Sequence, residues 1–370
     1  MTKRRWRYFD FALLGATLLL IVMGVAMIRS AIVDSPGLQD LPTRQVIYAG
    51  AGLVLMVLIT LVDYRGLLDI YHLLYLVCLG LLGAVLMFGT ASHGAQRWVD
   101  LQLFPIQPAE VAKLLLIIVL AGFFARRQTE VRSFRTFLVS LVYVIPPVVL
   151  IFLEPSLSAA LSVLVIWFAL ALVAGVRGRY LLGLIGVGLA TTPFFWMVMA
   201  DYQRTRLIQF LMPERLAPDQ FSNVQQALIS IGSGGWLGKG FALGSQSQLR
   251  FLRVRWSDFI FAVIGEELGM VGILVLFALL LVVILRLFRT AENARDLFGQ
   301  LIATGVGVLV LFQAVVNIGM NLGVVPATGV PLPFVSSGGS SLVTFLVAEG
   351  LVQSISIRRQ KIEFHAASRF

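Results

Sequence analysis

Cysteine occurs once in this chain of 370 residues and histidine three times. One cysteine, Cys78, excludes a disulfide framework, and His72, His93 and His365 are too scattered to make a zinc site. Charge is scarce too, with only 13% of residues Asp, Glu, Lys or Arg. Set against 58% hydrophobic residues and a mean hydropathy of +0.91, that scarcity excludes a soluble fold, because no chain of this size hides so much apolar surface. Nucleic-acid binding is excluded as well: the net charge of +10 is spread over short loops with no single basic face, which is a membrane-topology signal. No internal repeat, low-complexity tract or appended soluble domain is present, so residues 1–370 read as one transmembrane domain.

What is present is a series of apolar runs at 9–28, 46–62, 70–89, 108–125, 137–153, 157–175, 179–199, 260–285, 299–322 and 340–357. The length accommodates about ten spans of ~20 residues, and continuous runs without alternation choose helices over a barrel. The expected fold is an all-α polytopic membrane protein. The first run follows a basic start, yet it is long enough to span and lacks a small-residue cleavage site, so it reads as a retained helix. Placing the N-terminus in the cytoplasm puts eighteen of the 29 Lys and Arg residues on that side, among them Arg65, Arg126, Arg286 and Arg358. Both termini are then cytoplasmic, and a large loop at 200–259, between the seventh and eighth helices, is extracytoplasmic.

The outer segments hold the unusual sequence. Trp256-Ser257-Asp258-Phe259-Ile260-Phe261-Ala262 places one carboxylate at the mouth of a helix, where poor solvation tunes an acid toward use as a base. Gly329-Val330-Pro331-Leu332-Pro333-Phe334-Val335-Ser336-Ser337-Gly338-Gly339 forbids regular helix; it is either a cradle for a pyrophosphate or a re-entrant loop capping the last helix. Glu110 and Lys113 share one face at the start of the fourth helix, as a structural ion pair or as substrate contacts. Arg204 and Arg206 are placed either to hold a lipid phosphate or to stay solvated near headgroups. The run Ile231-Gly232-Ser233-Gly234-Gly235-Trp236-Leu237-Gly238-Lys239-Gly240 lacks the strand, spacing and ending of a nucleotide loop, so ATP is not expected. Glu266, Glu267 and Glu349 lie within apolar helices, where a local charge partner is favoured over a proton pathway. On a continuous helix Glu266 is roughly 12 Å from Asp258, too far to share a proton.

Taken in order, these motifs, with Gly94-Ala95-Gln96-Arg97-Trp98, Gln107-Pro108-x-Glu110-x-x-Lys113, Tyr202-Gln203-Arg204-x-Arg206, Gln246-Ser247-Gln248, Glu266-Glu267-Leu268-Gly269 and Asn317-Ile318-Gly319-Met320, resemble the SEDS family (shape, elongation, division and sporulation) over almost the whole length. The short cytoplasmic ends and Gln246-Ser247-Gln248 lean toward its elongation branch. The resemblance implies a bacterial cytoplasmic-membrane enzyme that polymerises lipid II, an undecaprenyl-linked precursor, into glycan strands for cell elongation. It implies a class B penicillin-binding protein and other elongation-complex proteins as partners, within membrane lipid.

In that family the aspartate matching Asp258 is catalytic, and the positions matching Arg44, Arg97, Glu110, Lys113, Arg204 and Arg206 form a polar site. Gln203, Lys239 and Ser336, from the same ordered motifs, complete the candidate set for substrate and pyrophosphate. No metal ligand set is assigned; the cofactor requirement is open, with Mg²⁺ or Mn²⁺ as the candidate cation.

Two departures bear on mechanism. Where relatives read Leu-Pro-Glu-x-His-Thr-Asp, this chain reads Leu252-Arg253-Val254-Arg255-Trp256-Ser257-Asp258, so neither that glutamate nor that histidine serves here. Where many read Gln-Pro-Asp-Leu-Gly, it reads Glu154-Pro155-Ser156-Leu157-Ser158. The expected reaction is inverting glycosyl transfer with Asp258 as general base. Its rivals are a lipid II flippase and a membrane scaffold that activates a transpeptidase.

Overall fold

The computed structural model describes residues 8–33, 35, 37–92, 95–100, 105–154, 156–199, 204, 208, 210–212, 223–249 and 251–359. The apolar runs fold as α1 (Phe11–Ala31), α2 (Leu41–Leu61), α3 (Tyr71–Phe88), α4 (Pro108–Arg126), α5 (Phe134–Leu153), α6 (Leu157–Ala174) and α7 (Gly178–Val198). A shorter helix, α8 (Asn223–Ser233), precedes α9 (Ile260–Glu292), α10 (Leu297–Asn321) and α11 (Gly339–Ile357). Every expected span has its helix, because each run of about 20 apolar residues satisfies its own backbone only when coiled.

Helix ends follow local chemistry. Asp10, Ser133 and Asp296 precede α1, α5 and α10, and each accepts a hydrogen bond from the first-turn amide three residues on. Pro108 opens α4, where a missing N–H costs nothing. Segment 90–106 departs from the all-helical expectation. It forms a small antiparallel sheet, β1 (Thr90–Ser92), β2 (Ala95–Asp100) and β3 (Pro105–Ile106), in that order. A stretch this short and this polar pairs with itself instead of spanning.

The centre of the bundle is α4 and α11, with 83% of their apolar windows buried, against 28% for the peripheral α2. Helix α2 lies against α11, α3 against α4, α6 against α4 and α10, and α9 between α1 and α10. At the end remote from Asp258, Asp296 caps α10 and also accepts from Tyr64 at 2.7 Å and Arg65 at 3.1 Å. Burial, reinforced by the Asp296 carboxylate, pushes Tyr64 up to about 12, so it remains a donor in this clasp.

Helix α9 is interrupted at Gly269 (φ 64, ψ −161). An unbroken helix would bond Met270 N to Glu266 O and Val271 N to Glu267 O. Here the glycine-rich loop supplies all four partners. Lys239 N donates to Glu266 O and Gly240 N to Glu267 O, both at 3.0 Å, while Met270 N donates to Gly235 O at 2.9 Å and Val271 N to Trp236 O at 3.2 Å. A Cβ at Gly234, Gly238 or Gly269 would collide with the facing backbone, and Gly238 is also left-handed (φ +77). The glycines therefore permit a backbone-to-backbone approach that no other residue allows.

Gly238→Ala should cost roughly 1–3 kcal/mol from backbone conformation alone, plus the collision with Glu267. Gly50→Ala, in α2 with open space around it, should be neutral or gain up to about 1 kcal/mol. Thermal unfolding of the two purified variants checks the contrast; equal midpoints would contradict the docking.

Candidate active site

Asp258 lies two residues ahead of α9 in a turn that begins with Val254 in the left-handed region (φ 53), an uncommon place for a β-branched residue. The carbonyl of Val254 accepts from both Ser257 N and Asp258 N at 3.1 Å. The neighbouring Arg255 is buried and donates to the Ala31 carbonyl at the end of α1 and to Ser35 Oγ at 2.7 Å. Strain at Val254 is thus held by a buried guanidinium on one side.

On the other side two amides of α10 converge on the aspartate's own carbonyl. Asn317 Nδ2 reaches Asp258 O at 3.1 Å and Asn321 Nδ2 reaches it at 3.0 Å. Asn317 also donates to Val330 O at 2.7 Å, and Asn321 Oδ1 accepts from Ala262 N at 3.3 Å. The proline-rich loop closes the third side: Ser336 Oγ donates to Ser257 O at 2.7 Å and accepts from Leu332 N, while Ser337 N donates to Trp256 O. Gln45 on α2 holds that loop in turn, through Ser336 O at 3.1 Å and Gly338 N at 3.4 Å.

Most of these bonds go to the backbone around the acid and not to its carboxylate. It is half-buried; Oδ1 accepts from Ser257 Oγ at 3.2 Å, and Oδ2 borders Gly329, 3.5 Å from where a Cβ would stand. Gly329 is left-handed (φ +70), which keeps the space beside the acid free of a side chain.

Of the other candidates, Ser336 joins Asp258 directly through Ser257. Arg44 is exposed on α2, next to Gln45, with Asp40 at 4.0 Å. Glu110 and Lys113 pair with each other at 2.7 Å and are 4% and 1% exposed, while Gln107 N ties the start of α4 to Ser340 Oγ. Lys239 is engaged elsewhere: it meets Glu266 at 2.9 Å and Ser245 Oγ at 2.8 Å. Glu266 also accepts from Gln246 N and Ser247 N, so the intramembrane acid has the local partner expected of it. Arg204 donates to the Met197 carbonyl at the end of α7. Gln203, Arg206 and the side chain of Arg97 lie outside the described residues.

Four residues escaped the sequence reading. Asn317 and Asn321 carried a readable signal, two amides at i and i+4 in an apolar helix, but Arg255 and Gln45 had none beyond polarity beside a span. Among the described residues no three His, Cys, Asp or Glu side chains gather as a metal-ligand group. An apolar groove of about 460 Å³ runs between α9 and α10, past Phe277, Leu281 and Val315, and ends at Leu322 and Val324 beside Asn321. Its lining suits an apolar occupant of the membrane.

The chain and its helical bundle have counterparts. The curated peptidoglycan glycosyltransferase MrdB of Escherichia coli K12 is 37% identical over 362 residues, covering 96% of each chain. A probable peptidoglycan glycosyltransferase FtsW of Geobacter metallireducens is 34% identical over 360 residues, covering 95% of each. Among solved structures, the rod shape determining protein RodA of Thermus thermophilus superposes with a TM-score of 0.73 at 30% identity, covering 96% of this chain and 99% of that one. A chain from a peptidoglycan synthase complex that coordinates polymerization and crosslinking reaches a TM-score of 0.81 at 32% identity, over 94% of this chain and 97% of its own. The family model for FtsW, RodA and SpoVE, described as cell cycle protein, matches residues 11–361, nearly the whole bundle built above, and the chain belongs to that family.

Proposed function

We propose that the chain is a peptidoglycan glycosyltransferase of the bacterial cytoplasmic membrane, in the elongation branch of its family, polymerising lipid II on the outer face with Asp258 as general base. The observation that carries this reading is the half-buried Asp258 carboxylate at the end of the bundle, positioned through its own carbonyl by Asn317 and Asn321, with a glycine at 329 beside its Oδ2. The reading is supported by the names of the full-length relatives. The outward orientation is supported by Arg65, Arg126 and Arg286 at the opposite end of the bundle, where basic side chains mark the cytoplasm.

In the proposed step the 4-hydroxyl of a GlcNAc attacks the anomeric carbon of the donor MurNAc. The new C–O bond forms as the bond to pyrophosphate breaks with inversion, and the hydroxyl proton passes to Asp258. Negative charge grows on the departing undecaprenyl pyrophosphate. Arg44, Arg97, Arg204 and Arg206 are the cations proposed to meet it, most useful where charge is greatest, in the transition state. Mg²⁺ or Mn²⁺ is the candidate cofactor, and bound beside the pyrophosphate it would share that charge with these cations. A crosslinking partner of the class B penicillin-binding type is proposed by analogy with the synthase complex.

Asp258→Asn, assayed in purified protein with lipid II and the partner, should lower polymer formation about 10²–10⁴-fold while folding and complex formation persist. Unchanged polymer would end this assignment. Asn317→Ala with Asn321→Ala removes both donors to the Asp258 carbonyl; the expected result is a folded protein with at least a roughly tenfold slower reaction, equivalent to about 1.4 kcal/mol of barrier. Lys113→Met alone strands the buried Glu110 and should cost about 3–5 kcal/mol, whereas Lys113→Met with Glu110→Gln should recover most of that in thermal unfolding.

A further inference from the structure

The segment between α8 and α9 belongs to the loop expected on the extracytoplasmic side, yet its apolar side chains point away from the protein. Trp236 is 74% exposed and Leu237 81%, with Phe241 and Leu243 exposed beside them. An apolar patch of this kind, in one contiguous hairpin, marks an interaction surface. The polar side chains of the same hairpin turn inward instead: Lys239 and Ser245 hold Glu266, and Gln248 Nε2 donates to the Ser30 carbonyl at 3.0 Å.

Two helices measure the depth of this hairpin. At one end of α1 its cap Asp10 bonds Arg286 of α9 at 2.6 Å; near the other end Ser30 Oγ donates to Glu267 of α9. From Asp10 to Ser30 the helix rises about 30 Å at ~1.5 Å per residue, and from Glu267 to Arg286 α9 spans about 28 Å. Both match a hydrocarbon core of about 30 Å, so the Asp10–Arg286 pair marks one edge and Glu267 the other. Val271 N, just past the Gly269 break on the Arg286 side of Glu267, donates to Trp236 O, which sets the tip inside the edge. Asp258 lies in the opposite direction, on the order of 10 Å outside it.

Irregular backbone is tolerated at that depth only where protein satisfies its polar groups, and the four exchanged bonds at the Gly269 break do that. A tryptophan just below the headgroups is also at its preferred level. We propose that residues 234–243 form a re-entrant wedge in the leaflet on the Asp258 side, with Trp236, Leu237, Phe241 and Leu243 in contact with lipid acyl chains. The occupant of the patch is hydrocarbon, and this hairpin sits in the membrane and does not float above it.

The test uses the full chain in nanodiscs of phosphatidylethanolamine and phosphatidylglycerol. The one native cysteine, Cys78, is buried, so nitroxide labels go to single introduced cysteines at Leu237→Cys, Leu243→Cys and, as a reference, Asp40→Cys on the exposed start of α2. The expected result is several-fold more collision with oxygen than with a water-soluble nickel chelate at 237 and 243, and the reverse at 40. Nickel access at 237 and 243 equal to that at 40 would put the hairpin in water and overturn the wedge. Low access to both reagents would mean that protein covers the patch, which overturns it equally. Should Leu237→Cys fail to purify as a monodisperse protein, Phe241→Cys carries the same comparison.

Discussion

Four peptide groups at the Gly269 break set the terms for the whole Asp258 end. In a low-dielectric layer each unsatisfied backbone group costs several kcal/mol, so a helix interrupted there survives only if something else completes its ladder. The loop from Gly235 to Gly240 completes it, donor for donor and acceptor for acceptor. Once that exchange is made, Lys239 is delivered to Glu266, and Glu266 gathers Gln246 and Ser247 from the next turn of chain. The path from there to Asp258 is short. Glycine is required because the two backbones meet closer than a Cβ permits, and a side chain at Gly238 would push apart the pieces that aim the rest.

The acid is positioned by its backbone more than by its carboxylate. Asn317 and Asn321 grip its carbonyl, Ser336 grips the residue before it, and Arg255 anchors the turn to α1. That division of labour suits a base. Each donor to a carboxylate lowers its basicity, whereas bonds to its main chain position it without that cost. The left-handed Val254 and Phe334 flank the same junction, and residues in such conformations persist where surroundings over-determine them. Here the surroundings are ends of α1, α2 and α10, rigid elements that make a short outer loop as exact in position as a helix.

How far this was legible in sequence depends on what each residue does. The spans were plain, since an apolar run of about 20 residues has one way to satisfy its backbone; the caps Asp10, Ser133 and Asp296, which fix where three of them begin, were not read, and those starts were off by two or three residues. A charge partner was anticipated for Glu266, Glu267 and Glu349 from the cost of an unpaired acid in lipid; Glu266 has one in Lys239, whereas Glu267 is met by Ser30 and the Ala242 amide and Glu349 by the Thr17 hydroxyl. The glycine run was seen to be unfit for a nucleotide, but its docking was invisible, because glycine's permissiveness says that backbone approaches something and not what it approaches. Asn317 stood in a motif without a task and Asn321 lay just beyond it; their partner is a carbonyl, which has no sequence signature. The sheet at 90–106 was missed for a related reason, since three very short strands hold by pairing with each other and carry little pattern of their own.

Depth joins these observations to chemistry. If Glu267 stands at the hydrocarbon edge, Asp258 is on the order of 10 Å outside it, in the layer where lipid headgroups meet water. A lipid-linked sugar presents its pyrophosphate and first saccharide at that height by the physics of amphiphiles, whatever protein it meets. An acid placed lower would have to be desolvated and would resist ionisation; one placed higher would face bulk water and lose the substrate's anchored geometry. The exchange at Gly269 and the grip of Asn317 and Asn321 therefore do one job between them: they fix a carboxylate's distance from the membrane, which for a substrate tethered in that membrane is the coordinate that matters most.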